Sequence, residues 1–270
     1  MKISRGAARK TLAVYLTAGY PTPKLFHDAV KSAWDEGVDL LEVGLPFSDP
    51  IADGPVIQST SESAIKSGIN YDRTLDLSSR LPPVPKVLMT YANPLFVRGW
   101  STAFREIQQA GFSGCVLPDI PMEELTGIIP FCPRDSFYLV PLVAPTTSPA
   151  RFGMVRDVAR ADSFIYVVSL RGITGSRPAS ETPAPGAPEA RTRPAAGGEI
   201  ATLIKGLRRV THAPIYVGFG IQSGLDAARF GRVADGIIVG TAALKALRRG
   251  PGPYGRLLRE LRRSLDHLSD

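Results

Sequence analysis

Residues 40–55 read Leu40-Leu41-Glu42-Val43-Gly44-Leu45-Pro46-Phe47-Ser48-Asp49-Pro50-Ile51-Ala52-Asp53-Gly54-Pro55. Its first five residues form a short apolar run of the kind found in strands covered on both faces. Alternation along a strand sends Leu40, Glu42 and Gly44 to one face and Leu41 and Val43 to the other. Similar runs recur at Ala13–Thr17, Lys86–Tyr91, Gly114–Leu117, Phe137–Leu142, Phe164–Ser169, Ile215–Gly218 and Gly236–Gly240. Between them lie amphipathic stretches such as Leu25–Glu36, Ser101–Ala110, Pro149–Ala159, Ile200–Val210 and Leu225–Phe230. Eight β-then-α units in about 250 residues match a (β/α)8 TIM barrel, an α/β fold. A doubly wound sheet is the alternative, because strand order is invisible in sequence. No linker interrupts the pattern, so residues 1–270 are expected to form a single domain.

Composition narrows the function. The chain is 44% hydrophobic and 21% charged, which excludes global disorder. Its 26 glycines and 24 prolines exceed the ~12% ordinary share, predicting many chain reversals. Cys115 and Cys132 are too few for a disulfide framework, which fits a reducing, cytoplasmic setting. No apolar run approaches the ~20 residues of a membrane span. Four cations precede the short run Leu12–Leu16, but the run ends at Gly19-Tyr20-Pro21 without a cleavage-like site, so a first strand is expected there rather than a signal peptide. The net charge of +7 is concentrated in residues 1–12, 171–214 and 245–270, peripheral segments without aromatic interleaving. That distribution argues against nucleic-acid binding.

Residues 177–198 break the pattern, with five Pro, three Gly and six Ala among 22 positions and nothing apolar larger than Ala. Such a segment cannot offset the entropy of packing and is expected to be mobile. It follows the sixth predicted strand, which in a barrel places it over the C-terminal face, where an active-site lid or an inert insertion fits equally.

Two constellations carry chemistry. A barrel whose interior faces Glu42 puts this carboxylate at the mouth among apolar neighbours, where lost hydration raises its pKa toward neutrality. Asp53, eleven residues later on a loop stiffened by Pro46, Pro50 and Pro55, can return a second carboxylate to the same cavity, and two carboxylates in different environments divide acid and base roles. A salt-bridged wall residue and a helix cap remain the plainer alternative for this pair. The second constellation is three glycine-bearing strand ends: Gly172-Ile173-Thr174-Gly175, Gly218-Phe219-Gly220-Ile221 and Gly236 to Thr241. Glycines after the last strands of a barrel let backbone N–H groups approach a phosphate. His27, His212 and His267 lack ligand spacing, so no metal is expected. Lys86 begins its strand at the wrong end of a barrel for a Schiff base.

The run from Glu42 through Gly54-Pro55-Val56-Ile57-Gln58 resembles the signature of the tryptophan synthase α-chain family. The resemblance continues through Tyr15-Leu16-Thr17-Ala18-Gly19-Tyr20-Pro21, Met89-Thr90-Tyr91-Ala92-Asn93-Pro94, Pro118-Asp119-Ile120-Pro121, Gly172–Gly175 and Gly218–Ile221. It implies a lyase of tryptophan biosynthesis that splits indole-3-glycerol phosphate by retro-aldol cleavage into indole and glyceraldehyde 3-phosphate, without metal or organic cofactor. By position Glu42 is the acid/base that protonates indole C3, and Asp53 accepts the indole N–H. Tyr15, Tyr91, Tyr166 and Thr174 fall on the indole side, and Gly175, Gly220, Gly240 and Thr241 at phosphate-binding positions. The resemblance also implies a pyridoxal-phosphate-dependent β chain as partner in an α2β2 heterotetramer, with Pro46, Asp49, Asn93 and Pro121 at or near the interface. The chain departs from the family pattern in a short N-terminus, in Tyr20 where an aspartate is common, and in the longer segment after Gly175. A stand-alone indole-releasing lyase of secondary metabolism and a non-catalytic activating subunit are the competing readings. The intact Glu42, Asp53 and phosphate glycines weigh against the second of these.

Overall fold

The alternation read from residues 40–44 runs through the whole sheet. The computed structural model describes residues 9–133, 137–160, 162–168 and 196–268. Among these, nine strands form one sheet: Thr11–Thr17 (β1), Leu40–Gly44 (β2), Lys86–Met89 (β3), Gly114–Val116 (β4), Tyr138–Val140 (β5), Leu142–Val143 (β6), Ile165–Val167 (β7), Ile215–Val217 (β8) and Gly236–Val239 (β9). Their order is β5-β4-β3-β2-β1-β9-β8-β7-β6, and every pairing is parallel. The two end strands are separated in the chain by Pro141 alone, so the sheet closes on itself as a TIM barrel.

The fifth predicted strand is therefore corrected to two. Residues 138–140 pair with β4 and residues 142–143 with β7. Pro141 between them has no N–H to donate, although its carbonyl accepts from the Tyr166 amide at 3.0 Å. The predicted ends at Tyr91, Leu117, Gly218 and Gly240 also contract, because the chain leaves the sheet for the mouth loops there; Ser169 lies outside the described residues.

Helices Pro23–Asp35 (α1), Pro55–Lys66 (α2), Tyr71–Ser79 (α3), Ala92–Arg98 (α4), Trp100–Gln109 (α5), Met122–Ile128 (α6), Phe152–Val158 (α7), Ala196–Leu207 (α8), Gly224–Gly231 (α9), Thr241–Arg248 (α10) and Pro251–Asp266 (α11) surround the barrel. Of the 177–198 segment, residues 177–195 lie outside the described residues, while 196–198 belong to the first turn of α8. Leu12, Val14 and Leu16 of β1, with Leu41 and Val43 of β2, pack outward into the core shared with the helices. Inward-facing Ala13, Leu40, Val87, Val140, Phe164 and Tyr216 fill the barrel itself. Cys115 is fully buried in the core.

At the lower end a buried ion pair ties chain start to chain end. Asp39, just before β2, accepts from the Leu12 amide at 2.9 Å and from Arg262 Nη1 at 3.0 Å, and the same nitrogen donates to the Lys10 carbonyl at 3.0 Å. Arg262 sits on α11, which packs against α1, α9 and α10. Both charges are buried, and removing Asp39 leaves the buried Arg262 paired only with the half-exposed Asp266, 2.8 Å from its Nη2. Asp39→Ala is expected to cost about 3–5 kcal/mol, read as a lowered urea midpoint; an unchanged midpoint would show that the pair does not hold the lower end together.

Candidate active site

The register of β1 on β2 sets Tyr15 beside Glu42 and Thr17 beside Gly44. Val87 of β3 lies on the other side of Glu42. Glu42 is 1% exposed, and the only hydrogen bond to its carboxylate among the described residues is a long one from the Tyr166 hydroxyl, 3.4 Å to Oε2. Oε1 is buried without a partner. Burial is the dominant influence, opposed by the Tyr166 hydroxyl and reinforced by the nearby Asp53 charge, and it lifts Glu42 to about 8. An ionised carboxylate there has lost water and found little in exchange.

Asp53 approaches from the β2–α2 loop, near enough for its charge to raise Glu42. The Tyr91 hydroxyl donates to its Oδ2 at 3.0 Å and accepts from the Ala52 amide at 3.0 Å. Phe47 stacks on the Tyr91 ring with centroids 5.0 Å apart. Asp53 is 8% exposed; burial raises it to about 6, with the Tyr91 bond pulling the other way. At pH 7 the deeper carboxyl is therefore mostly protonated and the shallower one mostly ionised. The Tyr15 phenol is pushed well up, first by burial and then by Asp53, and stays protonated.

The structure thus brings together Glu42, Asp53, Tyr15, Tyr91 and Tyr166. It also reveals two residues whose role the sequence reading missed. A Cβ at Gly44 would collide with the Tyr15 hydroxyl, and one at Gly218 with the Tyr166 ring. These inward-facing glycines make room for the tyrosines; the signal was glycine at inner positions of strand ends whose neighbours carry large aromatics.

Phosphate candidates gather where the last strands end. Gly220 is exposed with φ +71°, a conformation favouring glycine. Gly240 precedes α10 without a side-chain cap, it lies next to Tyr15, and Thr241 opens the helix exposed. The α9 terminus differs: Ser223 and Asp226 form a capping box, and Asp226 also accepts from the Gln222 amide at 3.0 Å. Free helical N–H groups therefore point to α10 as the anion side. Thr174 and Gly175 lie outside the described residues. Among the described residues no three His, Cys, Asp or Glu side chains gather as a metal site.

On the rim Asp49, Asn93 and Pro121 are exposed, whereas Pro46 is buried. Asn93, Phe96, Trp100, Asp119, Ile120 and Phe131 are among the residues lining a groove of about 760 Å³. Phe96 and Val97 on α4 are 68% and 78% exposed.

The profile of the family described as tryptophan synthase alpha chain matches residues 1–264. The chain belongs to the tryptophan synthase α-chain family. It is 37% identical to the tryptophan synthase alpha chain of Synechococcus elongatus over 269 residues, covering 97% of this chain and 94% of the relative. It is 36% identical to that of Desulfosudis oleivorans over 236 residues, covering 86% and 82%. Among solved structures, a Mycobacterium tuberculosis tryptophan synthase superposes with a TM-score of 0.82 at 30% identity, covering 96% of this chain and 93% of that one. The tryptophan synthase alpha subunit of Legionella pneumophila gives 0.79 at 30% identity, covering 96% and 93%. As a family member the chain is a lyase-type TIM barrel of tryptophan biosynthesis, and no helix among the described residues is long and apolar enough to cross a membrane.

The Tyr166 bond favours the ionised form of Glu42, so removing it raises the pKa. Tyr166→Phe is expected to move Glu42 upward from about 8, followed by NMR titration of the labelled carboxyl; a lowered or unmoved value would contradict this geometry.

Proposed function

We propose that the chain cleaves indole-3-glycerol phosphate to indole and glyceraldehyde 3-phosphate as the α subunit of a tryptophan synthase. The observation that carries this is the split pair: two buried, electrostatically coupled carboxyls, Glu42 raised to about 8 and Asp53 to about 6. Retro-aldol cleavage asks for that division. Indole C3 must gain a proton while positive character develops at N1. Neutral Glu42 supplies the proton to C3, and anionic Asp53 accepts the N1–H and stabilises the charge. The C3–C1′ bond then breaks, its electron pair returning to the ring as N1 loses its positive character. The proton of the adjacent hydroxyl passes to the Glu42 carboxylate as the aldehyde forms, which restores the acid. Tyr15, Tyr91 and Tyr166 wall the indole, with Thr174 on the same side, while Gly175, Gly220, Gly240 and Thr241 take the phosphate.

The chain is read as one cytoplasmic barrel domain, requiring no metal or organic cofactor of its own. The rim supports a β-chain partner: the groove beside Asn93 and the exposed Phe96 and Val97 offer an apolar surface next to the mouth, and Asp49 and Pro121 are exposed as well. In the α2β2 assembly this reading implies, indole, being apolar, gains a closed route to the second active site.

Glu42→Gln is expected to fold normally and to lower indole release by at least the ~10²–10⁴-fold that general acid catalysis contributes; near-normal turnover would refute the assignment. The pH profile of kcat/KM is expected to be bell-shaped. Activity rises as Asp53 ionises around pH 6 and falls as Glu42 loses its proton around pH 8. Asp53→Asn loses most of the activity. Sizing with the cognate β chain, alongside cleavage rates with and without it, is expected to show a complex. High activity alone with no complex would favour the stand-alone lyase.

A further inference from the structure

Gln58 closes the signature run, yet the reaction assigns it no task. Its surroundings do. Residues 50–53 form a tight turn closed by the Asp53 amide donating to the Pro50 carbonyl at 3.2 Å. From the first turns of α2, Gln58 Nε2 donates to the Asp53 carbonyl at 2.9 Å and, more weakly, to the Pro50 carbonyl at 3.4 Å. Both neighbours are acceptors only, so the amide nitrogen must face them. One side chain thus bridges both ends of the turn whose last residue carries the carboxylate.

On the opposite side Tyr91 binds the same turn, accepting from Ala52 N–H and donating to Asp53 Oδ2. The turn is otherwise lightly held, with Ile51 at its tip 74% exposed. The base of α2 is itself anchored. Thr60 Oγ1 donates to the Ile57 carbonyl at 2.9 Å and lies 2.7 Å from Thr17 Oγ1 of β1. A rigid helix therefore reaches over the loop and fixes it from outside, while the barrel fixes it from inside.

We propose that Gln58 is a positioning residue that holds the Asp53 turn against Tyr91, so that the carboxylate faces the substrate N–H in one geometry. This inference rests on Asp53 being the N–H acceptor. Gln58 acts through the backbone, does not itself touch the reacting atoms, and is exposed, so its replacement opens no cavity.

Gln58→Met tests it, since methionine has similar length and helix propensity but no donor. A 1 Å misplacement at an active site costs up to ~10²-fold; the expected loss in kcat/KM is about tenfold, carried mainly by kcat, with the thermal midpoint unchanged. Loosening the turn alters both influences on Asp53, its burial and the Tyr91 bond, so the acid limb of the profile is displaced from its wild-type position. The double variant with Tyr91→Phe is expected to lose less than the sum of the single effects, because both groups hold one turn. Wild-type kcat/KM with an unmoved limb would overturn the proposal. So would activity and thermal midpoint falling together with the limb in place, the sign of a merely structural role. Asp53→Asn measured in parallel separates the two levels. If it keeps normal turnover, the acceptor assignment fails and this inference with it; if it is inactive while Gln58→Met behaves as wild type, only the role of Gln58 fails.

Discussion

A carboxyl group buried inside the barrel, with one long hydrogen bond and one bare oxygen, is the constraint around which the upper half of this molecule is arranged. Among the described residues no cation is paired with Glu42; burial is the main influence on its strength as an acid. That makes the shape of the cavity part of the chemistry. Tyr15 and Tyr166 exclude solvent from Glu42, and they fit because Gly44 and Gly218 carry no side chain on the faces they cover. A methyl group at either glycine would act on the acid through a displaced ring, without touching it.

The same logic explains why the two carboxyls differ. Both are raised by burial, but Asp53 sits nearer the surface on a loop and receives a full-strength bond from Tyr91, whereas Glu42 sits on a strand with a 3.4 Å contact. Burial lifts Glu42 to about 8 and Asp53 to about 6, and the shallower, better hydrogen-bonded group is lifted less. Loop and strand have distinct anchors: the loop depends on α2, and the strand on its neighbours in the sheet. At the lower end, the Asp39–Arg262 pair joins the starts of β1 and β2 to the last helix, which fixes the register that puts Tyr15 beside Glu42.

Much of this was legible in residues 40–55. Alternation set Glu42 on the face opposite Leu41 and Val43, and the prolines marked a loop able to bring Asp53 back. Periodicity did not show that Pro141 divides the fifth strand, because apolar character continues on both sides of it and only the loss of one N–H marks the break. Nor did it show the pairing of Gly44 with Tyr15 and Gly218 with Tyr166, which depends on register between strands distant in sequence. Gln58 was seen only as a letter in a motif, since its partners are backbone carbonyls, which sequence cannot display.

On the proposed reaction, substrate entry strengthens the division of roles. An indole ring filling the cavity displaces the remaining water, which raises both carboxyls further. Glu42, already mostly neutral at pH 7, becomes a more secure proton donor. Asp53 is compensated, because the N–H it accepts stabilises its charged form at the moment that burial opposes it. A phosphate at the α10 terminus adds negative charge, again favouring the protonated state of Glu42. The substrate therefore pushes the pair in the direction the chemistry requires, and a ligand lacking the N–H would leave the Asp53 anion uncompensated in a closed cavity. Discrimination for indole over a carbocyclic analogue follows from the cost of that unpaired charge, more than from the fit of the ring.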